Sequence, residues 1–259
     1  MRTTVMLLAG RGKRFSDAGY TIPKPLIEVD GSPMVVSATK DLPKSDKLIF
    51  VVSGDYVQNH DIGNTLKKYF PNSEIVVQTV PLQGQAHSAL QAKGSVDPES
   101  VLTVGACDAG MVFDNQKYEA LLADPKVDAI IWAFRNYPPM ETRPEAYGWI
   151  DTDENGFVKK VQYKVPLSDK PLNDCAVFGS FTYKKAKYCF ENAEEMIAKN
   201  LKSGAEFSLD ECTNVLVKNG LKVKVFEVGV FKCWGTPDEL RTYLYWQNYF
   251  QGQGKFPLP

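Results

Sequence analysis

The sequence predicts an α/β protein built on a mostly parallel sheet with helices on both faces, joined to a smaller β lobe. Apolar, β-branched runs of strand length alternate with helically spaced segments through the first half. Those runs are apolar along their whole length, the pattern of strands covered on both faces. In the second half, Asn155-Gly156 between two alternating runs marks a hairpin, and amphipathic helices follow.

Thr3-Thr4-Val5-Met6-Leu7-Leu8 reads as the first buried strand, closed by glycine. Lys47–Ser53, with Leu48-Ile49-Phe50-Val51-Val52, reads as the second. Gln58–Phe70 sets Ile62, Leu66, Tyr69 and Phe70 at helical spacing and stops at Pro71. Glu74–Thr79 is a third strand, Gln85–Ala92 a helix, Ser100–Gly105 a fourth strand and Val127–Phe134 a fifth. Arg135–Tyr147, with Pro138, Pro139 and Pro144, reads as an ordered surface loop. Tyr147–Asp151 and Phe157–Val161 flank the hairpin turn. A strand near Cys175–Tyr183 follows, then helices over about Lys184–Lys202 and Leu209–Asn219 and a strand at Lys222–Val228. Thr236 caps a last helix with Pro237 in its first position. No repeat or linker divides the chain, so 1–259 reads as one domain.

The 259 residues are 44% apolar, enough to fill a core, with a net charge of −1. That charge argues against a nucleic-acid or membrane-surface partner, which calls for a basic excess. No run approaches membrane-span length, and the start lacks a signal-peptide core. The five cysteines (Cys107, Cys175, Cys189, Cys212, Cys233) show no Cys-x-x-Cys spacing, so reduced thiols in a cytoplasmic protein are expected.

Ligands of open parallel sheets bind beyond the carboxyl ends of the strands. Ala9–Arg14, Pro81–Gly84 and Cys107–Gly110 fall on that edge. At Ala9-Gly10-Arg11-Gly12, glycines let backbone N–H groups approach an anion, while Arg11, Lys13 and Arg14 add charge. Lys24, between Pro23 and Pro25, is expected on a stiff extended segment. Glycine amides with converging cations suit a triphosphate. Asp108 beside small residues is placed to hold Mg²⁺ through oxygen. Gly84 would let a flat base lie on backbone, and the Gln78 amide can pair with a base edge. An ordinary strand-to-helix loop accounts for those two residues equally well.

The run from Leu7 to Pro25 resembles the signature of the sugar-phosphate nucleotidyltransferases, Leu-Ala-Gly-x-Gly-x-Arg followed by Pro-Lys-Pro. Leu8, Ala9, Gly10, Gly12, Arg14, Pro23, Lys24 and Pro25 match it. The resemblance continues in order to Leu240. It implies a Rossmann-like fold of the nucleotide-diphospho-sugar transferase type, with residues 1–134 the nucleotide half and 135–259 the acceptor half. It implies nucleotide contacts at Leu8, Ala9, Gly10, Arg11, Gly12, Gln78 and Gly84, catalytic roles for Arg14 and Lys24, and a metal role for Asp108. Tyr147, Gly148, Lys164, Gly179 and Glu206 resemble its acceptor-binding positions. The implied ligands are an NTP, Mg²⁺ and a phosphorylated small-molecule acceptor, in sugar-nucleotide synthesis. A homo-oligomer is compatible with this.

Two departures stand out. Tyr163 replaces a glutamate that usually meets sugar hydroxyls, which keeps smaller non-sugar phosphates open as acceptors, for instance in a cytidylyltransferase. Cys233 stands where Phe231–Pro237 should carry the family's second metal aspartate, and a thiol is a poor ligand for Mg²⁺. A metal-dependent glycosyltransferase and a non-catalytic nucleotide-binding protein remain the competing readings.

Overall fold

The computed structural model of the chain describes residues 1–251. The chain runs β1 (Arg2–Leu8), α1 (Lys13–Asp17), β2 (Glu28–Val29), β3 (Ser32–Pro33), α2 (Met34–Asp41), β4 (Lys47–Ser53), α3 (Gly54–Asn59), α4 (Ile62–Tyr69), β5 (Glu74–Gln78), α5 (Gln85–Leu90), β6 (Val101–Ala106), β7 (Ala109–Val112), α6 (Asn115–Ala123) and β8 (Ala129–Phe134). It continues as α7 (Pro139–Thr142), β9 (Gly148–Thr152), β10 (Val158–Tyr163), β11 (Ala176–Tyr183), α8 (Ala186–Ala198), α9 (Leu209–Lys218), β12 (Val223–Glu227), β13 (Val230–Cys233) and α10 (Pro237–Phe250).

One nine-stranded sheet carries both halves, in the order β10-β9-β11-β6-β1-β4-β5, with β8 bridging β11 to β12. β1 lies parallel between β4 and β6, with Val5 opposite Ile49 on one side and Val104 on the other. Successive β1 residues feed opposite cores. Met6 and Leu8 pack with Phe50, Val52 and Trp132, whereas Val5 packs with Ile49, Val51 and Val104. This explains the unbroken apolar runs: both sheet faces are covered, so neither parity can be polar.

β11 runs antiparallel to β6, β8 and β9 and fuses the second half of the chain onto the sheet. Its register shifts between Val177 and Phe181, at Gly179, whose φ of 101° is open to glycine. A separate antiparallel ladder pairs β13 with β7, with Cys233 opposite Ala109. The hairpin β9–β10 forms as expected: Gly156 takes φ 71°, and the Asp153 carboxylate accepts from the Asn155 and Phe157 amides.

Three expectations change. Gln58–Phe70 is not one helix, because α3 ends at His60 and α4 restarts after Asp61, whose φ is +30°. Ile62 and Leu66 are buried as their spacing predicts. The proline-rich loop folds into α7, which buries Met140 completely. Lys24 opens a 3₁₀ turn rather than an extended segment; only Pro23 before it is extended.

Candidate active site

β1 ends at Leu8, and the chain bends through Ala9–Gly12 into α1. Gly12 has φ +61°, and a Cβ there would lie 3.2 Å from the Lys24 Cβ. Side chains other than glycine are therefore both strained and crowded at this point. The Tyr56 hydroxyl of α3 donates to the Gly10 carbonyl at 2.8 Å and clamps the bend. Burial, helped by nearby Cys107 and Asp55, pushes that phenol up to about 12, so it stays a neutral donor. Phe15, fully buried, anchors α1 from below. Lys13 is tied to Asp17 at 2.8 Å, whereas Arg11 and Arg14 are exposed with no ion pair among the described residues.

Lys24 reaches across the sheet edge. Its Nζ donates to Asp108 Oδ2 at 2.6 Å and to the Gly235 carbonyl at 3.1 Å, and lies 5.2 Å from the Phe15 ring centroid. Asp108 sits in the tight connection from β6 to β7, and its own carbonyl accepts from the Trp234 amide at 3.0 Å. Burial would lower the Lys24 pKa, but the facing carboxylate outweighs burial and leaves it raised. Burial would likewise raise Asp108, and Lys24 outweighs it and leaves the carboxyl lowered. Both groups are charged at neutral pH.

These residues wall a cleft of about 860 Å³. Leu8, Ala9, Gly10, Arg11, Gly12 and Arg14 form one side, and Lys24, Asp108 and Gly235 the floor. Leu82–Gln85 and Ser88 form a second side, and Lys202, Ala205 and Glu206 join them from the second half of the chain. Gly84 is required by this reach. Its φ is +120°, and a Cβ would fall 2.4 Å from the Phe207 carbonyl oxygen. The Phe207 amide donates to the Gln83 carbonyl at 2.8 Å, and the Ala86 amide donates to the Phe207 carbonyl at 3.0 Å. Two loops far apart in sequence are thus zipped together at the one glycine between them.

Beside the floor, Cys233 projects toward Glu239. The Glu239 carboxylate accepts from Arg143 at 3.1 Å and from the Thr236 hydroxyl at 2.8 Å, while the Thr236 hydroxyl accepts the Glu239 amide. This is a reciprocal helix cap. Burial, then the nearby Glu239 carboxylate, push the Cys233 thiol well up, so the sulfur is neutral. A methyl at Gly235 would touch Glu239 Oε2, Cys233 Sγ and Asp108 Oδ2 at 3.5, 3.6 and 3.7 Å. A neutral thiol does not suit Mg²⁺, and Glu239 is already engaged by Arg143 and Thr236. Asp108 is the hard oxygen donor on the cleft floor, which fits an ion completed by phosphate oxygens and water. Among the described residues, no three His, Cys, Asp or Glu side chains are arranged to hold a metal by themselves.

The other expected residues lie off the cleft wall. Gln78 is buried, its amide nitrogen donating to the Val80 carbonyl at 3.3 Å. Tyr147 is buried against Phe134 and Trp149. Gly148 faces Asp210, whose Oδ2 lies 2.5 Å from where a Cβ would stand. Lys164 has φ +60° and lies 5.1 Å from the Tyr163 ring centroid. Gly179 packs behind Ala106, a cleft residue. Sequence reasoning missed Ser88, Lys202 and the Arg143–Glu239 pair. The turn signal of Gly204, at φ +63°, was the available pointer to the Lys202 loop.

A mainly parallel sheet with a cation-rich glycine bend and a lysine–aspartate floor at its strand ends defines an α/β protein with a cation-lined cleft. The nucleotidyl transferase family profile matches residues 3–247, and the chain belongs to that family. It is 24% identical over 248 residues to the low-salt glycan biosynthesis nucleotidyltransferase Agl11 of Haloferax volcanii, covering 91% of this chain and 63% of that protein. The chain thus spans less than two thirds of that relative's length. Among solved structures, it is similar to the nucleoside-diphosphate-sugar pyrophosphorylase of Vibrio cholerae RC9, with a TM-score of 0.74, 20% identity, and 95% and 100% of the two chains covered. It is also similar to the inositol-1-phosphate CTP transferase of T. maritima, with a TM-score of 0.72, 18% identity, and 98% and 97% covered. Among the described residues, no helix is long and apolar enough to cross a membrane.

Proposed function

We propose that this chain transfers a nucleotidyl group from an NTP to a phosphomonoester and releases pyrophosphate. The observation that carries the proposal is the Lys24–Asp108 pair on the floor of a cleft whose wall presents Arg11 and Arg14, without ion-pair partners among the described residues. The Gly10–Gly12 amides and Arg14 would hold the β and γ phosphates. Lys24 would swing its charge onto the α-phosphate and draw in the acceptor oxyanion. No covalent intermediate is needed, because positioning and charge neutralisation supply the rate. Asp108 would hold Mg²⁺, which would supply charge neutralisation for the phosphates.

A sugar 1-phosphate is the acceptor we favour, with a pyrimidine nucleotide as donor. The second reading is a cytidylyltransferase acting on a non-sugar phosphate. It is motivated by Tyr163, which stands 41% exposed where a sugar-binding glutamate is expected. The test incubates the full chain and Mg²⁺ with CTP, UTP, dTTP, ATP or GTP and with glucose 1-phosphate, inositol 1-phosphate or other phosphomonoesters. Acceptor-dependent pyrophosphate release supports the proposal. Nucleoside diphosphate release would point to glycosyl transfer, and nucleotide binding without turnover to a sensor.

A further inference from the structure

Eight described side chains bury a polar atom without a partner: Thr3, Gln78, His87, Ser88, Tyr147, Ser180, Tyr183 and Trp234. Of these, Ser88 alone is on the cleft wall. It lies 2% exposed on α5, one turn beyond Gly84, with its amide donating to the Gly84 carbonyl at 3.1 Å. Gly84 and Gln85, one turn before it at the start of α5, line the cleft with it.

A buried hydroxyl without a partner carries its desolvation cost uncompensated. Elsewhere a helical serine escapes by bonding the carbonyl one turn back. Ser88 does not, so the folded chain keeps an unmet hydrogen-bonding group at the cleft. One rotation about Cα–Cβ moves that hydroxyl relative to the cleft without backbone change.

We propose that Ser88 is a nucleoside-binding residue: its hydroxyl hydrogen-bonds the base or ribose of the bound nucleotide, not the phosphates. The assignment rests on the nucleotide-binding reading above. It predicts opposite signs in the free and bound states. Removing the hydroxyl relieves the free protein and weakens the complex. A serine that merely supported the helix would act with the same sign in both.

The experiment compares the full-length wild type with Ser88→Ala. Calorimetric titration uses CTP, UTP, dTTP, ATP, GTP and inorganic tripolyphosphate, and thermal melts follow the ligand-free proteins. The expected result is an unchanged or higher melting temperature for Ser88→Ala. Its affinity for the nucleotide the wild type binds best should fall about 3- to 10-fold, the scale of one neutral hydrogen bond, with tripolyphosphate affinity unaltered. Ser88→Cys, which keeps the side-chain volume with a weaker hydrogen-bonding group, should fall between the two. Equal nucleotide affinity in wild type and variant overturns the assignment alone. So does a parallel loss for tripolyphosphate, or a lowered ligand-free melting temperature. Failure of the wild type to bind any nucleotide overturns the underlying reading with it.

Discussion

Lys24 Nζ and Asp108 Oδ2 stand 2.6 Å apart although 84 positions separate them in the chain. The parallel register of β1 and β6 makes this meeting unavoidable, since the segments after each strand leave the sheet side by side. The two charges satisfy each other. Under the proposed function a triphosphate would compete for the lysine and an ion for the carboxylate.

Lys24→Ala should lower kcat by roughly 10²–10³, the loss expected for one preorganised electrostatic contact. Stopped-flow pyrophosphate release checks it, and near-normal turnover would remove Lys24 from the chemistry. The same change strands Asp108 without its countercharge. Because the Asp108 side chain is 34% exposed, the stability cost is discounted to roughly 1–2 kcal/mol. Adding Asp108→Asn should recover most of that stability and none of the activity.

Gly84→Ala places a Cβ between 2.4 and 2.8 Å from three Phe207 backbone atoms, at φ +120°. Backbone cannot step aside as a flexible side chain can. We expect a destabilisation of about 2 kcal/mol or more, and separation of the Lys202–Phe207 loop from the Leu82–Ala86 loop. Hydrogen exchange at the Phe207 and Ala86 amides should rise together. Unchanged protection at both would show that the zipper does not depend on this glycine.

Asp210 provides the pH test. Burial, with some help from neighbouring Glu211, pushes its carboxyl up from 3.8 to about 6. A raised folded-state pKa gives stability that is present below the unfolded value and lost as pH climbs through the folded one. Wild-type stability from this group should therefore decline between about pH 4 and pH 6. Asp210→Asn removes the penalty, so it should melt higher than wild type at pH 7.5, by a margin that shrinks to nothing near pH 4. A margin independent of pH would mean the carboxyl does not titrate in this window.

What could be read from the sequence follows from where the determinants are local. β1, β4 and β6 announce themselves by apolar and β-branched runs, Val5–Leu8, Leu48–Val52 and Val101–Val104, and the Asp153–Gly156 turn because its chemistry lies within four residues. The glycine bend, Lys24 and Asp108 were legible for the same reason, each following a recognisable strand. The break at His60–Asp61 was not, since Ile62 and Leu66 keep helical spacing on either reading. Nor was the reason for Gly84: it answers to Phe207, over a hundred residues away. Tyr147 and Gly148 match a motif, yet they pack beneath the cleft wall rather than on it. The roles of Arg143 and Glu239 arise only when α7 is brought to the start of α10.

The most direct probe of the proposed metal site is Cys233→Asp. In the wild type burial keeps the Cys233 thiol neutral, so the site carries no extra charge. The introduced carboxylate would sit among Glu239 and Asp108, whose oxygens flank the same point beside Gly235. Like charges this close destabilise one another, and without divalent ion the variant should melt below wild type, by about 1–3 kcal/mol. Mg²⁺ reverses the balance, because a second hard oxygen ligand faces Asp108. Millimolar Mg²⁺ should then raise the variant's melting temperature more than the wild type's, following the logarithmic dependence of stability on ligand concentration. Ca²⁺ and Mg²⁺ titrations of both proteins, read by thermal melts in the absence of nucleotide, separate this from any effect on turnover. An identical Mg²⁺ response in the two proteins would show that position 233 does not face the ion, and that Asp108 and the phosphates hold it alone.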